Sequence, residues 1–339
     1  MPVVVAAPDK FRGTVTAPEV VAAVGRAANA AGWVPVGVPM ADGGEGTLDA
    51  FGGPNRTTTV TGPLGDQVDA AWRLDRRTAI IESARASGID LVDGPDGNDA
   101  IAASAYGTGE LISAALDAGA RRVIVGLGGS ATTDGGLGAL RAMAPLARLR
   151  GIELIVACDV RTTFVDAADV FAPQKGATPA QVELLRRRLE RLAEVYLEEH
   201  HIDVREIPGS GAAGGLAGGL AAIGARLTDG FELVADERSL ADRIETADLV
   251  VTGEGYLDDE SFHGKVVGGV VEIAVSLGVT ALVVVGGIDP EVHGPLGDDV
   301  ELVSLSERFG EDAARTDTAA LIEQVVVERL GRDQAERAK

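Results

Sequence analysis

The sequence predicts an α/β protein with two α/β domains on one chain. Six short runs rich in Val, Ile and Leu recur along it, and such runs are typical of parallel strands that are buried on both faces. They are Val3–Ala7, Val34–Val38, Val123–Val125, Ile152–Ala157, Leu249–Thr252 and Ala281–Val285. Helical patterns separate these runs. A chain of 339 residues is long for one core, so about two domains are expected.

Two of the predicted helices carry clear start signals. Thr16 and Glu19 have the spacing of a capping box, and Gly32 follows as a stop signal. Thr178 precedes a proline and begins a second helix, which we expect to run to about Glu199.

A segment of different character interrupts the α/β pattern. Three short, alternating runs joined by turn residues are typical of an antiparallel meander. They are Thr57–Val60, Asp69–Arg73 and Thr78–Glu82. We therefore predict a Rossmann-like domain formed by both chain ends, residues 1–60 and 245–339, with a second, mixed α/β domain inserted at 61–244.

The charge balance and the cysteine content exclude several classes of protein. The chain has 52 acidic and 30 basic residues, a formal net charge of -22, which argues against a surface for nucleic acid or for acidic membranes. An anionic substrate would need lysine, arginine and backbone N–H groups beside it. Cys158 is the only cysteine, which excludes an intramolecular disulfide and a thiolate metal cluster.

Two apolar stretches lack the features of targeting or membrane segments. Residues 1–7 have no basic flank of the kind that a signal peptide carries. Val266–Ile288 is interrupted by Glu272 and several glycines, so it predicts a helix followed by a buried strand. A cytoplasmic protein is the expectation.

Carboxylates follow the predicted strands at the points where the strands end. In open α/β sheets, ligands bind outside the carboxyl ends of the strands. The carboxylates at these points are Asp9, Asp42, Glu45, Asp159, Glu254 and Asp289. One such residue would be ordinary turn chemistry, whereas several together predict the rim of an active site.

The glycine-rich segment GLGGSATTDGGLGAL follows the third apolar run. Gly126, Gly128 and Ala131 match the dinucleotide fingerprint G-x-G-x-x-G/A, and a second match lies in residues 209–215. With 45 glycines in the chain, such matches also arise by chance. A dinucleotide is disfavoured because glycines would interrupt the following helix, and because the expected acidic residue, Glu153, lies at the start of a strand.

Two interpretations of the same segment stay open. Gly128, Gly129 and Ser130 would let consecutive N–H groups converge on a phosphate, with the hydroxyls of Thr132 and Thr133 nearby. The G-x-x-x-x-G-K-[ST] pattern of a P-loop is missing. The alternative is a tight strand-to-helix turn that needs small residues.

The carboxylates allow the same comparison. Asp42 and Glu45 lie three positions apart, which suits a metal ion or a general base, but an acidic residue also stabilises the start of a helix at Gly46–Phe51. Asp159 and Glu254 each follow an apolar strand, where burial of an unpaired charge would be costly.

Three other residue types have a functional and an ordinary interpretation. Lys175 precedes the Thr178 cap, so its charge would add to a helix N-terminus that attracts anions, or it is a solvated lysine. Cys158 is interpreted as a small core residue in preference to a nucleophile, and His263 as a lone surface histidine in preference to a substrate contact.

The motifs together resemble those of the bacterial glycerate kinase family (type 1). They occur in that family's order and spacing from Ala7 to about Gly287: APDKFRGT, MADGGEGTLDAF, VTGPLGDQV, AIIESARASGI, YGTGELI, GGSATTDGG, ACDV, PQKGA, GSGAAGG and VTGEGYLDDESFHGK. The resemblance implies phosphorylation of D-glycerate by ATP with Mg²⁺, usually at the 2-hydroxyl. It also implies two α/β domains, one inserted into a Rossmann-like other.

Four segments depart from the family pattern. They are residues 10–12, 139–151 and 161–169, and Tyr256 where the family has arginine. These departures leave three alternatives open: formation of 3-phosphoglycerate, a related hydroxy-acid kinase, and a regulatory homologue that has lost activity. An NAD-dependent oxidoreductase is a weaker alternative.

On this resemblance we predict a nucleotide site in the glycine-rich segment. Gly128, Gly129, Ser130 and Thr132 would hold the ATP phosphates through N–H and hydroxyl groups, with Asp134 as a lesser candidate beside them.

The remaining candidates receive catalytic and substrate roles. Asp159 would act as the general base, Lys175 would stabilise the transferring phosphoryl group, and Asp42 and Glu254 would bind Mg²⁺ and serve catalysis.

Lys10 or Arg12 would hold the glycerate carboxylate. The expected partners are thus D-glycerate and ATP, without nucleic acid or membrane, and a homodimer is left open.

Overall fold

A computed structural model of the protein describes residues 1–262, 265–292, 297 and 299–337. The chain divides into two compact units. Unit 1 comprises Met1–Asp42, Asp49–Phe51 and Phe231–Lys339, and unit 2 comprises Gly43–Leu48 and Gly52–Gly230. Both units contain a sheet and helices, which confirms the predicted α/β class with two α/β parts. The domain boundaries at residues 60 and 245 stay a prediction.

Eleven strands form within the described residues. They are β1 Val3–Ala6, β2 Val34–Gly37, β3 Arg56–Thr61, β4 Gln67–Asp75, β5 Thr78–Glu82, β6 Arg122–Gly126, β7 Glu153–Ala157, β8 Arg226–Thr228, β9 Leu249–Leu257, β10 Ala281–Ile288 and β11 Val300–Ser304.

The α-helices lie between these strands. They are α1 Ala17–Ala30, α2 Thr47–Ala50, α3 Ala84–Ser87, α4 Tyr106–Asp117, α5 Leu137–Ala142, α6 Ala167–Phe171, α7 Pro179–His200, α8 Ala212–Ala222, α9 Gly230–Glu237, α10 Leu240–Glu245, α11 Val266–Ser276, α12 Leu305–Phe309, α13 Glu311–Thr316 and α14 Thr318–Arg337.

Unit 1 contains a five-stranded parallel sheet in the order β11-β10-β9-β1-β2. Successive side chains of a strand point to opposite faces, and both faces are covered: Val5 and Val250 belong to one apolar cluster, Val4 and Val251 to another. The prediction of double burial is wrong for β2. It is the edge strand, and Val34 is 39% exposed.

Unit 2 contains a six-stranded sheet in the order β3-β4-β5-β6-β7-β8. The pairs β3–β4 and β4–β5 are antiparallel, which confirms the predicted meander, and β5 to β8 are parallel. The inner strands β6 and β7 supply the core through Val123, Val125 and Val156.

The predicted capping box at Thr16 and the predicted helix start at Thr178 are confirmed. The Thr16 hydroxyl accepts the N–H of Glu19 at 3.4 Å, and the Glu19 carboxylate accepts the N–H of Thr16 at 2.7 Å. Thr178 and Gln181 repeat the arrangement, and α7 ends at His200, one residue beyond the predicted end. Each box satisfies two N–H groups that the first helical turn leaves unpaired.

The stretch predicted as a helix and a strand forms α11 and β10, as expected. None of the described helices is both long and apolar enough to cross a membrane.

The short helix α2 is held by a carboxylate that lies far away in the sequence. Glu82, at the end of β5, is 3% exposed. Its Oε1 accepts the N–H of Gly46 at 3.0 Å and of Leu48 at 2.9 Å, and its Oε2 accepts from Arg85 at 3.0 Å. The start of α2 is therefore stabilised by a buried anion of unit 2.

Candidate functional site

Most of the predicted site residues line two cavities, one in each unit, whereas Thr132 and Asp134 line neither. A cavity of about 280 Å³ in unit 2 is lined by Gly128, Gly129, Ser130, Asp159 and Lys175, among others. A cavity of about 770 Å³ in unit 1 is lined by a second set of candidates. They are Lys10, Arg12, Asp42 and Glu254.

The glycines after β6 are needed for packing. A Cβ at residue 126 would lie 2.6 Å from the carbonyl oxygen of Gly43, and one at residue 128 would lie 3.0 Å from the Cα of Gly44. Gly129 has a φ of 57°, in the left-handed region. The interpretation of this segment as a tight turn is therefore physically sound.

The same turn presents backbone donors. The N–H of Leu127 bonds to Ala157 and that of Ala131 to Ser87, which fixes both ends of the loop. Between them, the N–H groups of Gly128, Gly129 and Ser130 meet no acceptor among the described residues. Successive N–H groups of this kind can bind an anion, so tight packing and phosphate binding are compatible in this loop.

Lys175 is buried against this loop. Only 7% of the residue is exposed. Its Nζ donates to Ser130 Oγ at 2.7 Å and to the carbonyl oxygen of Thr132 at 2.6 Å. Burial lowers the pKa of the amine to about 7, and the negative charge of Asp134 opposes this shift. The interpretation as a solvated lysine is therefore wrong.

Two other candidates of the loop do different work. Thr132 is fully buried, and its hydroxyl has no partner among the described residues. The carboxylate of Asp134 accepts the N–H groups of Ala105, Gly136 and Gly138 at 2.9 to 3.1 Å. Asp134 thus holds the starts of α4 and α5. Contact of either residue with phosphate stays a prediction.

The helix after the fingerprint begins later than expected. Gly135 and Gly136 both have positive φ, so α5 starts at Leu137 and contains only Gly138 of the three glycines.

Asp159 follows β7 and lines the cavity of unit 2 together with Ser130 and Lys175. It is exposed, so the argument from a costly buried charge is wrong for this residue. Its neighbour Cys158 is a buried member of the core, as expected. Burial, with the charges of Asp159 and Asp229, raises the pKa of that thiol to about 11, so it stays protonated at neutral pH.

The second glycine motif supports the first. Inside α8, Ala213, Gly214 and Gly215 are left-handed, and Ala213 lines the cavity of unit 2. A Cβ on Gly214 would lie 1.9 Å from the carbonyl oxygen of Thr132. This segment packs against the glycine-rich loop at Thr132, a role that its fingerprint pattern does not indicate.

The cavity of unit 1 contains two buried carboxyl groups. Burial raises the pKa of Asp9 to about 6; the charge of Lys10 opposes the shift and that of Asp42 adds to it. Burial likewise raises the pKa of Glu254 to about 7, opposed by a hydrogen bond from Ser261. Asp9 was predicted as part of the rim but received no catalytic or binding role from the sequence.

Four cationic side chains line the same cavity. The Nζ of Lys10 lies 3.8 Å from Oδ1 of Asp9, and the Nζ of Lys265 lies 3.3 Å from Oε2 of Glu260. Arg12 and Arg315 are exposed and form no ion pair within the described part of the chain. Arg315 lies in the last turn of α13, outside every motif, so the sequence pattern gave no signal for it. His263 lies outside the described residues.

The carboxylates of unit 1 fit a Mg²⁺ ion. Among the described residues, no group of three or more His, Cys, Asp or Glu side chains gathers as a metal site. Mg²⁺ is commonly held by one or two carboxylates together with phosphate and water. Oε1 of Glu254 is buried and has no hydrogen-bond partner within the described ranges, so a cation would offset its desolvation.

Comparison with known proteins agrees with these motifs. The model of the glycerate kinase family matches residues 4–147 and 143–330. A protein of Escherichia coli (strain K12) named glycerate 2-kinase is 38% identical over 331 residues, which cover 85% of this chain and 86% of that one. A glycerate kinase of Halalkalibacterium halodurans is also 38% identical, over 85% of this chain and 86% of its own.

A solved structure gives the same answer. The crystal structure of a glycerate kinase 2 from Salmonella typhimurium LT2 matches with a TM-score of 0.86 and 33% identity, and the match covers 100% of both chains. The chain described here belongs to the glycerate kinase family.

Proposed function

We propose that the protein transfers the γ-phosphoryl group of ATP to the 2-hydroxyl of D-glycerate and releases 2-phosphoglycerate. The observation that carries this proposal is the buried amine of Lys175, held on Ser130 beside a glycine loop, in a member of the glycerate kinase family. The name of the Escherichia coli relative, a glycerate 2-kinase, supports the 2-position. We place the reaction in the cytoplasm.

The loop of unit 2 would bind phosphate oxygens of ATP. Gly128, Gly129 and Ser130 supply N–H donors, and Lys175 supplies an amine whose pKa is lowered to about 7 by burial. In its charged form the amine stabilises the negative charge on the transferring phosphoryl group.

Asp159 would accept the proton of the substrate hydroxyl. Its carboxylate is exposed and lines the same cavity, so a substrate can reach it. Positioned bases of this kind typically accelerate proton transfer by about 10² to 10⁴.

The cavity of unit 1 would bind the acid and the metal. Arg12 and Lys10 are proposed to hold the glycerate carboxylate, Arg12 through two parallel hydrogen bonds. Asp42 and Glu254 are proposed as Mg²⁺ ligands, and when bound, Mg²⁺ neutralises charge on phosphate oxygens.

Phosphorus NMR of a reaction with ATP and D-glycerate tests this function directly. We expect the resonance of 2-phosphoglycerate to appear at the rate at which ADP forms, and Asp159→Asn to lower both rates at least about a hundredfold. Formation of 3-phosphoglycerate would contradict the proposed position. Absence of any phosphorylated acid, with a folded protein, would favour a regulatory homologue.

A further inference from the structure

The geometry of Ser130 and Lys175 suits a chemical role in addition to phosphate binding. Ser130 Oγ lies 2.7 Å from Lys175 Nζ, and the same nitrogen is oriented by the carbonyl oxygen of Thr132 at 2.6 Å. The two residues are 8% and 7% exposed, and both line the cavity of unit 2. A hydroxyl within hydrogen-bond reach of a base that a third group orients is the geometry of an activated nucleophile, and serine–lysine pairs are one form of it.

The surroundings of Lys175 make a neutral amine accessible near neutral pH before a ligand binds. No carboxylate within the described ranges forms an ion pair with Lys175, and the amine is removed from solvent. A neutral amine has two N–H groups and one lone pair. It can donate to Thr132 and accept the proton of Ser130 along the 2.7 Å contact, which leaves Ser130 Oγ free to attack.

We infer that Ser130 accepts the phosphoryl group first and then passes it to the acid. The donor, ATP, comes from the proposed function, on which this inference rests. In the first step, Ser130 Oγ bonds to the γ-phosphorus and the bond from that phosphorus to the β–γ bridging oxygen breaks. ADP leaves, and the serine proton moves to Lys175 Nζ.

The second step returns the enzyme to its starting state. The substrate hydroxyl oxygen bonds to the phosphorus, its proton moves to Asp159, and the bond between phosphorus and Ser130 Oγ breaks. Ser130 then takes back the proton from Lys175, and the exposed Asp159 releases its proton to solvent. In both steps, the N–H groups of Gly128 and Gly129, which line this cavity, would stabilise the charged phosphoryl oxygens.

Stereochemistry at phosphorus tests the inference on the unaltered protein. ATP made chiral at the γ-phosphorus is converted with D-glycerate, and the configuration of the phosphorylated product is determined. Two in-line displacements retain the configuration, which is the expected result. One direct transfer inverts it, and inversion overturns the inference while the proposed function stands.

Labelling gives a second, independent readout. The full chain is incubated with ATP labelled at the γ-phosphorus and Mg²⁺ but without glycerate. We expect one equivalent of ADP and a phosphoserine at residue 130, found by mass spectrometry after digestion, and discharge of the label when D-glycerate is added. Ser130→Ala should lose the label, whereas Ser113→Ala, a serine of α4 away from the cavity, should keep it.

The outcomes separate the two proposals. Product formation at an undiminished rate in Ser130→Ala, with no label on the unaltered protein, overturns the inference alone. A label on Ser130 that D-glycerate does not discharge also overturns it, because the group is then not passed on. If no phosphorylated acid forms under any condition, the proposed function fails with it.

Discussion

The burial of Lys175 makes folding stability depend on pH. Its pKa is lowered from 10.5 to about 7, so between these values the unfolded chain binds more protons than the folded one. The free energy of unfolding therefore gains a contribution that rises with pH in this window, by up to about 1.4 kcal/mol per pH unit.

Replacement of this lysine by methionine should remove that contribution. We expect Lys175→Met to be more stable than the unaltered protein at about pH 6, with the difference shrinking towards about pH 10. Urea unfolding of both proteins across this range measures it. An equal difference at every pH would contradict the assigned burial of a protonatable amine.

Asp159 should matter for turnover and not for folding, because its carboxylate is exposed. Asp159→Asn is expected to lower kcat at least about a hundredfold and to leave Tm unchanged. Asp169→Asn, an exposed carboxylate of α6 in the same unit, is the matched control and should keep kcat. Near-normal turnover of Asp159→Asn would remove this residue from the role of base.

Local sequence patterns predicted some of these residues and not others. The rule that ligands bind at strand ends pointed to Asp9, Asp159 and Glu254, although it assigned no role to Asp9. The burial of Lys175 could not be predicted, because it depends on how the turn Pro173–Lys175 packs against a loop 45 residues earlier.

At the scale of elements, the start of α7 depends on one hydroxyl. Thr178→Ala removes the acceptor of the Gln181 N–H and should cost about 1 kcal/mol of unfolding free energy. Thr178→Ser keeps the oxygen and should lose much less. Chemical denaturation of the three proteins makes the comparison, and equal losses in both variants would show that the hydroxyl does not cap the helix.

The left-handed segment of α8 should be sensitive to a single methyl group. A Cβ at residue 214 would lie 1.9 Å from the carbonyl oxygen of Thr132, so Gly214→Ala should cost at least about 2 kcal/mol and displace the loop that Lys175 binds. Gly224 has a φ of 97° with no atom near its Cβ position. Gly224→Ala should cost only about 1 kcal/mol of backbone strain.

Equilibrium unfolding and ATP binding by calorimetry distinguish the two glycines. We expect Gly214→Ala to lose ATP affinity and Gly224→Ala to keep it. Equal losses of stability and affinity in both variants would show that backbone strain, and not the contact with Thr132, is responsible.

The capping boxes were predictable because both partners lie within four residues. The left-handed segment of α8 was not predictable, because Gly214 is required by its close approach to the carbonyl of Thr132, about 80 residues earlier.

For the whole molecule, self-repulsion is a measurable cost. A formal charge of -22 opposes the compact state, and salt screens it. Raising NaCl from about 20 mM to about 300 mM at neutral pH should raise Tm. Near the isoelectric point of about 4.5 the effect should disappear. The same gain at both pH values would point to general salting-out instead.

The two-part organisation was predictable from the recurring strands and the meander, but its finer course was not. Unit 2 includes residues 43–48, a segment flanked on both sides by chain that belongs to unit 1. The sequence does not mark the two ends of this segment, because contacts of its backbone N–H groups with Glu82 assign it to unit 2.

The anchoring of that segment by Glu82 limits how unit 2 can be moved. A gene fragment that starts at residue 52 would leave Glu82, 3% exposed, without the N–H groups of Gly46 and Leu48, and an uncompensated buried carboxylate is strongly destabilising. Residues 52–230 alone are therefore not expected to fold as a stable, independent unit. Domain shuffling, in the laboratory or in evolution, must carry residues 43–48 along with it.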